Sequence, residues 1–221
     1  MMVSPVMLAI GGVFLLTVMD AVLKAQLQIH SVAVVLFCRF VAGGCISLAV
    51  LAWLKPQRPT ATQIRANLLR APLVVLTAGS FFLAVSLLPL AEAISLSFLA
   101  PCFIAVLGVI WLKEQVDRSI IIALAAGLAG VLTMLWPNFS AGMSGSVLGV
   151  GAALASALFY AVNIILLRQL AVSQNPAIIV AFQTIAPAIL IAPLAWWFWT
   201  PQSLADIGFS LVAGTIGVAG H

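Results

Sequence analysis

Charge is what this sequence has least of. Its 221 residues include nine Lys or Arg and five Asp or Glu, 6% of the chain, against 64% hydrophobic residues. A soluble domain carries about 25% charged and about 45–50% apolar residues. So little polar surface cannot cover a water-soluble body of this size. A soluble enzyme, a disordered chain and a nucleic-acid reader are therefore excluded, whatever the net charge of +4 suggests. Tyrosine occurs once, histidine twice and cysteine three times. No HExxH, GxSxG or phosphate-cradling GxxxxGK[ST] pattern occurs. Neither catalysis nor a cofactor is expected, and the rival enzymatic reading is acid–base chemistry within a bilayer at Asp20 or Glu92. Cys38, Cys45 and Cys102 lie in apolar runs without a CxxC spacing or a His cluster. They read as small buried hydrophobes, with no disulfide and no metal.

Long apolar runs are what the chain does have. A helix needs about 20 mostly apolar residues to cross about 30 Å of hydrocarbon. The runs are continuous and lack the alternation of a barrel strand. They predict an all-α membrane protein, a polytopic helical bundle of about eight spans, at 5–23, 32–54, 72–89, 93–112, 119–136, 147–167, 177–199 and from 207 onward. The longest polar loop is expected from Lys55 to Arg70. Trp53, Trp111, Trp136, Trp196, Trp197 and Trp199 all fall at span ends, where an aromatic belt belongs. The first segment lacks a basic n-region and a small-x-small cleavage site, so it reads as a retained helix rather than a signal peptide. Loops after spans two, four and six carry Lys55, Arg58, Arg65, Arg70, Lys113, Arg118 and Arg168, while the opposite loops carry Lys24 alone. That asymmetry places the amino terminus in the cytoplasm.

The sequence also repeats itself weakly. Lys24 and Arg168 each end a span, and Arg39 and Gln183 sit in the spans that follow, both pairs offset by 144 residues. Ala78-Gly79-Ser80 and Ala219-Gly220-His221 match at an offset of 141. Two units are expected, a complete five-helix repeat over 1–137 and an incomplete one over 146–221. Five is odd, so the second unit enters from the opposite side. Inverted repeats are the usual architecture of secondary carriers. The chain ends inside its eighth span, which suggests a truncated product, with a non-transporting remnant or assembly partner as the alternative function and a homodimer as a candidate assembly.

Residues along the first unit carry a family resemblance. The pattern Phe82-Leu83-Ala84, Pro89-Leu90-Ala91-Glu92-Ala93, Ser97-Phe98-Leu99-Ala100-Pro101, Gly108, Glu114, Gly127 and Gly130-Val131 resembles the EamA-type domain of the drug/metabolite transporter superfamily. Met19-Asp20-Ala21-x-x-Lys24 and Phe37-x-Arg39-Phe40, with Gly214-x-x-Gly217-x-x-Gly220-His221, look like the branch that includes riboflavin and S-adenosylmethionine carriers. The resemblance implies a two-repeat, ten-helix carrier of a small-molecule substrate in the lipid bilayer of the inner (plasma) membrane, and rocking of one repeat against the other would give alternating access.

The candidate substrate-path or gate residues follow from what hydrocarbon does to polar groups. Arg39 lies seven residues into its span, roughly 10 Å deep at about 1.5 Å per residue. An Arg at depth costs about 2.5–3.5 kcal/mol on insertion scales unless something compensates it. Asp20, Lys24 and Glu92 are expected at the same membrane face. The four form either a structural ion-pair network or an outer gate that takes a charged substrate group. Pro101 is expected mid-span, freeing the carbonyl of Ser97, and Ser97, Pro101, Ala105 and Gly108 share a small-residue face. Tyr160, Asn163 and Gln183 are read as interhelical hydrogen-bond partners or substrate contacts, and His221 as a further polar group on the eighth span. The stripes Gly145/Gly149/Ala153/Ala157, Ala123/Gly127 and Ala213/Gly217 are read as helix-packing faces.

Overall fold

The structure is a computed structural model that describes residues 5–113, 117–140 and 146–219. Every regular element among them is a helix: α1 (Pro5–Gln26), α2 (Val32–Leu54), α3 (Ala61–Leu87), α4 (Leu90–Ser97), α5 (Ala100–Leu112), α6 (Arg118–Ser140), α7 (Val147–Ala171), α8 (Pro176–Trp197) and α9 (Leu204–Ala219). Five stretches among the described residues are long and apolar enough to cross a membrane, namely Val32–Leu54, Ala61–Leu87, Leu90–Leu112, Val147–Ala171 and Pro176–Trp197. Shorter apolar segments cover Arg118–Thr133 and Leu204–Val218. The chain is a polytopic helical membrane protein.

Local chemistry sets the helix ends. Ser31 caps α2, and Asn175 Oδ1 accepts the Ala177 amide at 2.9 Å to cap α8, with Pro176 in its first turn. Lys55 and Lys113 close α2 and α5 in the left-handed region, at φ 45° and 54°. Asp117 opens α6. Its carboxylate accepts the Ser119 hydroxyl at 2.6 Å and the Arg118 amide at 2.8 Å. Those bonds hold its carboxyl below the usual carboxylate range.

Two of the expected boundaries are wrong. The stretch from Lys55 to Arg70 is not a loop throughout, because α3 begins at Ala61 and carries Arg65 and Arg70 on helix. The cause is a reciprocal cap. The Thr60 amide donates to Gln63 Oε1 at 3.0 Å and the Gln63 amide to Thr60 Oγ1 at 3.4 Å, so two orphan donors are satisfied before the apolar run starts. The fourth span does not bend at Pro101 but breaks. Phe98 and Leu99 donate to the carbonyls three residues back, at 3.1 Å each, and α5 restarts with Pro101 in its first turn. A first-turn proline gives up an amide that would have had no helical partner.

The chain divides into two compact units. One comprises residues 1–72 and 170–221, the other residues 73–169, and the division falls at Pro72 inside α3 and near the end of α7. In the first unit α2 packs along both α8 and α9, and α9 also meets α1. Glycine makes the closest approach possible. A Cβ on Gly214 would stand 2.6 Å from the Gly43 amide nitrogen and 2.7 Å from Ala42 Cβ, so the α2 and α9 backbones touch with no side chain between them. Phe37 meets Trp199 edge-on at 6.3 Å, joining the start of α2 to the segment after α8.

In the second unit the Ser156 hydroxyl of α7 donates to the Thr77 carbonyl of α3 at 2.9 Å, and Gly149 lies against Leu87 and Leu88. Gly149, Ala153 and Ala157 are buried, as a packing stripe requires, while Gly145 lies outside the described residues. Ala123 and Gly127 are exposed, with open space beside Gly127 among the described residues, unlike a buried packing stripe. Cys45 is exposed, contrary to the buried role expected of it, and Cys38 and Cys102 are half-buried.

Candidate functional site

Among the described residues the first unit gathers most of the buried or half-buried polarity, in three places. The first is around Arg39 on α2. Asp20 of α1 lies close enough for each charge to act on the other. The guanidinium carbon sits 5.5 Å from the Phe40 ring centroid, within cation–π range. Gly217 of α9 lies beside it, where a Cβ would stand at ordinary contact distance, 3.7 Å from Arg39 Nη2 and 3.5 Å from Met19 Sδ. The Asp20–Arg39 convergence expected from the sequence is therefore present, with α9 as a third wall. Lys24 sits in the last turn of α1, where a cation complements the helix dipole.

The second place is on the inner face of α3. Arg70 keeps 2% of its surface and donates from Nη2 to Gln183 Oε1 of α8 at 3.0 Å. Asn67, one turn earlier, donates to Gln174 Oε1 at 2.8 Å, and the Gln63 amide group donates to the Ser173 carbonyl at 2.9 Å. Gln183 thus contacts a buried arginine rather than an apolar neighbour.

The third place joins the α1–α2 turn to the start of α9. His30 Nδ1 is 2.7 Å from Thr200 Oγ1 and 3.3 Å from Gln202 Nε2. His30 Nε2 lies 3.2 Å from Asp206 Oδ2, an ion-pair distance without hydrogen-bond alignment. Asp206 also accepts the Ser203 amide at 2.9 Å and hydroxyl at 2.7 Å, while Gln26 donates to the Asp206 carbonyl at 2.9 Å. Neither His30 nor Asp206 was singled out from the sequence, because they stand 176 positions apart and neither lies inside an apolar run.

The remaining candidates lie in the second unit. Glu92 occupies the first turn of α4, where an acid favours the helix terminus. The Ser97 hydroxyl donates to the Ala93 carbonyl at 2.9 Å. Pro101 is exposed whereas Gly108 is buried, so the face drawn through both is only partly internal. Tyr160 is 40% exposed and Asn163 5%, so they do not share one buried face despite standing one turn apart. His221 and Glu114 lie outside the described residues. No group of three or more His, Cys, Asp or Glu among the described residues could hold a metal ion.

Long apolar helices with a few polar side chains buried between them define an integral membrane protein. Residues 3–136 match the EamA-like transporter family, and the chain belongs to that family. Two curated relatives, both named pseudopaline exporter CntI and from two strains of Pseudomonas aeruginosa, are 28% identical over 225 residues, covering 99% of this chain and 76% of theirs. A solved crystal structure superposes with a TM-score of 0.73 at 19% identity, covering 97% of this chain and 75% of the other, which is a likeness of fold. The family and the exporter relatives mark the chain as a membrane transport protein for a small molecule.

Proposed function

We propose that this chain is a secondary carrier of a small metabolite, working by alternating access between inverted repeats, the first over residues 1–137 and the second represented by 146–221. On this reading α1, α6 and α9 join the five long helices as spans, the amino terminus is cytoplasmic and the membrane is the inner one. Asp20, Lys24 and Arg39 form the outer gate, with Glu92 at the same membrane face. Ser97, Pro101, Tyr160, Asn163 and Gln183 contribute to the substrate path. The observation that carries the proposal is the Asp20–Arg39 pair, two opposite charges housed between helices of an apolar bundle.

The names of the relatives make pseudopaline the first cargo to test. The full chain reconstituted into liposomes should move labelled pseudopaline or a related metabolite faster than empty liposomes do. Arg39→Ala, at equal incorporation, should reduce the rate at least about tenfold, the loss of roughly 1.4 kcal/mol or more. Flux no faster than in empty liposomes, across a metabolite panel, would remove the carrier reading for this chain.

A further inference from the structure

The face of α3 that carries Gln63, Asn67 and Arg70 is inside-out by the standards of a soluble helix. These residues fall four and three apart, on one side of the helix. Asn67 and Arg70 are buried, while their neighbours Leu68 and Leu69 are exposed. A membrane helix with its polar stripe turned inward is housing something that hydrocarbon would reject.

The hydrogen-bond inventory at Arg70 does not close. A guanidinium has five N–H donors, accepts nothing and keeps its proton. Nη2 finds Gln183 Oε1, but Nε and Nη1 are buried with no acceptor among the described residues. No described carboxylate forms an ion pair with Arg70 or acts on its charge, whereas Asp20 acts on that of Arg39. One turn away, Gln174 Nε2 is a further buried donor without a partner, held in place by the bond from Asn67. Buried charge lacking both a counter-charge and its hydrogen bonds is among the costliest arrangements in a protein. A group that supplies two or three oxygen acceptors and a negative charge would satisfy all of it at once.

We infer that Arg70, backed by Gln183, Asn67 and Gln174, is the binding site for an oxyanion, a carboxylate or phosphate, on a small-molecule ligand. The inference rests on the carrier reading and deepens it, since it makes the transported class anionic. Gln183 holds the guanidinium in place, and the free nitrogens receive the anion.

The test uses the full chain purified in detergent, with thermal unfolding followed at constant ionic strength in chloride, benzoate, citrate and inorganic phosphate. At least one oxyanion should raise the unfolding midpoint in a dose-dependent way that chloride does not reproduce. In Arg70→Met the apparent affinity should fall about tenfold or more. Gln183→Glu provides a second measurement that does not depend on tolerating the loss of Arg70. It places a carboxylate of the chain itself beside Nη2, so it should raise the midpoint without added anion and abolish the response to it. A wild type that ignores every oxyanion overturns the inference, as does either variant responding like wild type. Stabilisation by phosphatidylglycerol nanodiscs alone, lost in Arg70→Met, would assign the oxyanion to a lipid headgroup and overturn the small-molecule site. Liposome flux separates this inference from the carrier reading. Flux unchanged in Arg70→Met sinks the site and leaves the carrier; anion binding without flux leaves the site and sinks the carrier.

Discussion

Arg39 and Arg70 sit in the same compact unit and are treated in opposite ways. Arg39 has an acid on the neighbouring helix, an aromatic face within cation–π range and Gly217 of a third helix beside it. Arg70 keeps 2% of its surface and donates to one neutral amide. Burial alone therefore does not say what a charged side chain is for. A cation with its counter-charge built in is compensated whatever else binds, whereas a cation without one is compensated only when something arrives. The first arrangement suits a gate that must hold itself shut, the second a site that must be refilled in each cycle.

The contrast is open to being broken. Asp20→Asn strips Arg39 of its acid and should destabilise the chain by about 3 kcal/mol, the usual cost of orphaning one member of a buried pair. The double replacement Asp20→Leu with Arg39→Met should recover most of that loss. If unfolding in detergent shows Asp20→Asn to be neutral, Arg39 is no better housed than Arg70 and the distinction disappears. Gly214→Ala comes next, at about 1–3 kcal/mol, because the new methyl would enter backbone atoms of α2 and something must shift. Gly217→Ala, whose methyl would meet only ordinary contacts beside Arg39 and Met19, should be neutral or slightly stabilising. That difference, read from unfolding midpoints, separates the α2–α9 crossing from the arginine slot a turn further on. Smallest is Thr60→Ala, which removes half of the reciprocal cap ahead of Arg70 and should cost about 1 kcal/mol. Hydrogen exchange confined to the first turns of α3 would report it.

How much of this could be read in the sequence depended on whether the information was local. The apolar runs of α2 and α8 are continuous and capped, and their helices lie within about two residues of the expected bounds. The start of α3 was missed because hydropathy counts Thr60, Gln63, Arg65, Asn67 and Arg70 as polar and therefore as loop. The Thr60-x-x-Gln63 cap and the spacing of 63, 67 and 70 were both in the sequence and point to helix, with its polar face inward. The break before α5 was not anticipated, since Pro101 reads as a residue inside one continuous span, and whether a proline bends a helix or restarts it depends on the turn preceding it, which no spacing reveals. The Asp20–Arg39 convergence was legible because an arginine at depth must be compensated and few acids were on offer. The Arg70–Gln183 and His30–Asp206 contacts were not, since each joins residues more than a hundred positions apart that only the packing of the first unit brings together.

The bare contact between Gly43 and Gly214 has a mechanical consequence. With no side chain to act as a cushion, sliding α9 along α2 by one residue would bring Ala213 or Thr215 onto the spot where only a hydrogen fits. The two helices are thus indexed like a ball in a detent, free to rock about that point but not to slip past it. A gate that includes Arg39 and Gly217, one turn beyond the pivot, would swing on a short lever arm, turning a small tilt of α9 into the opening or closing of the space around one guanidinium.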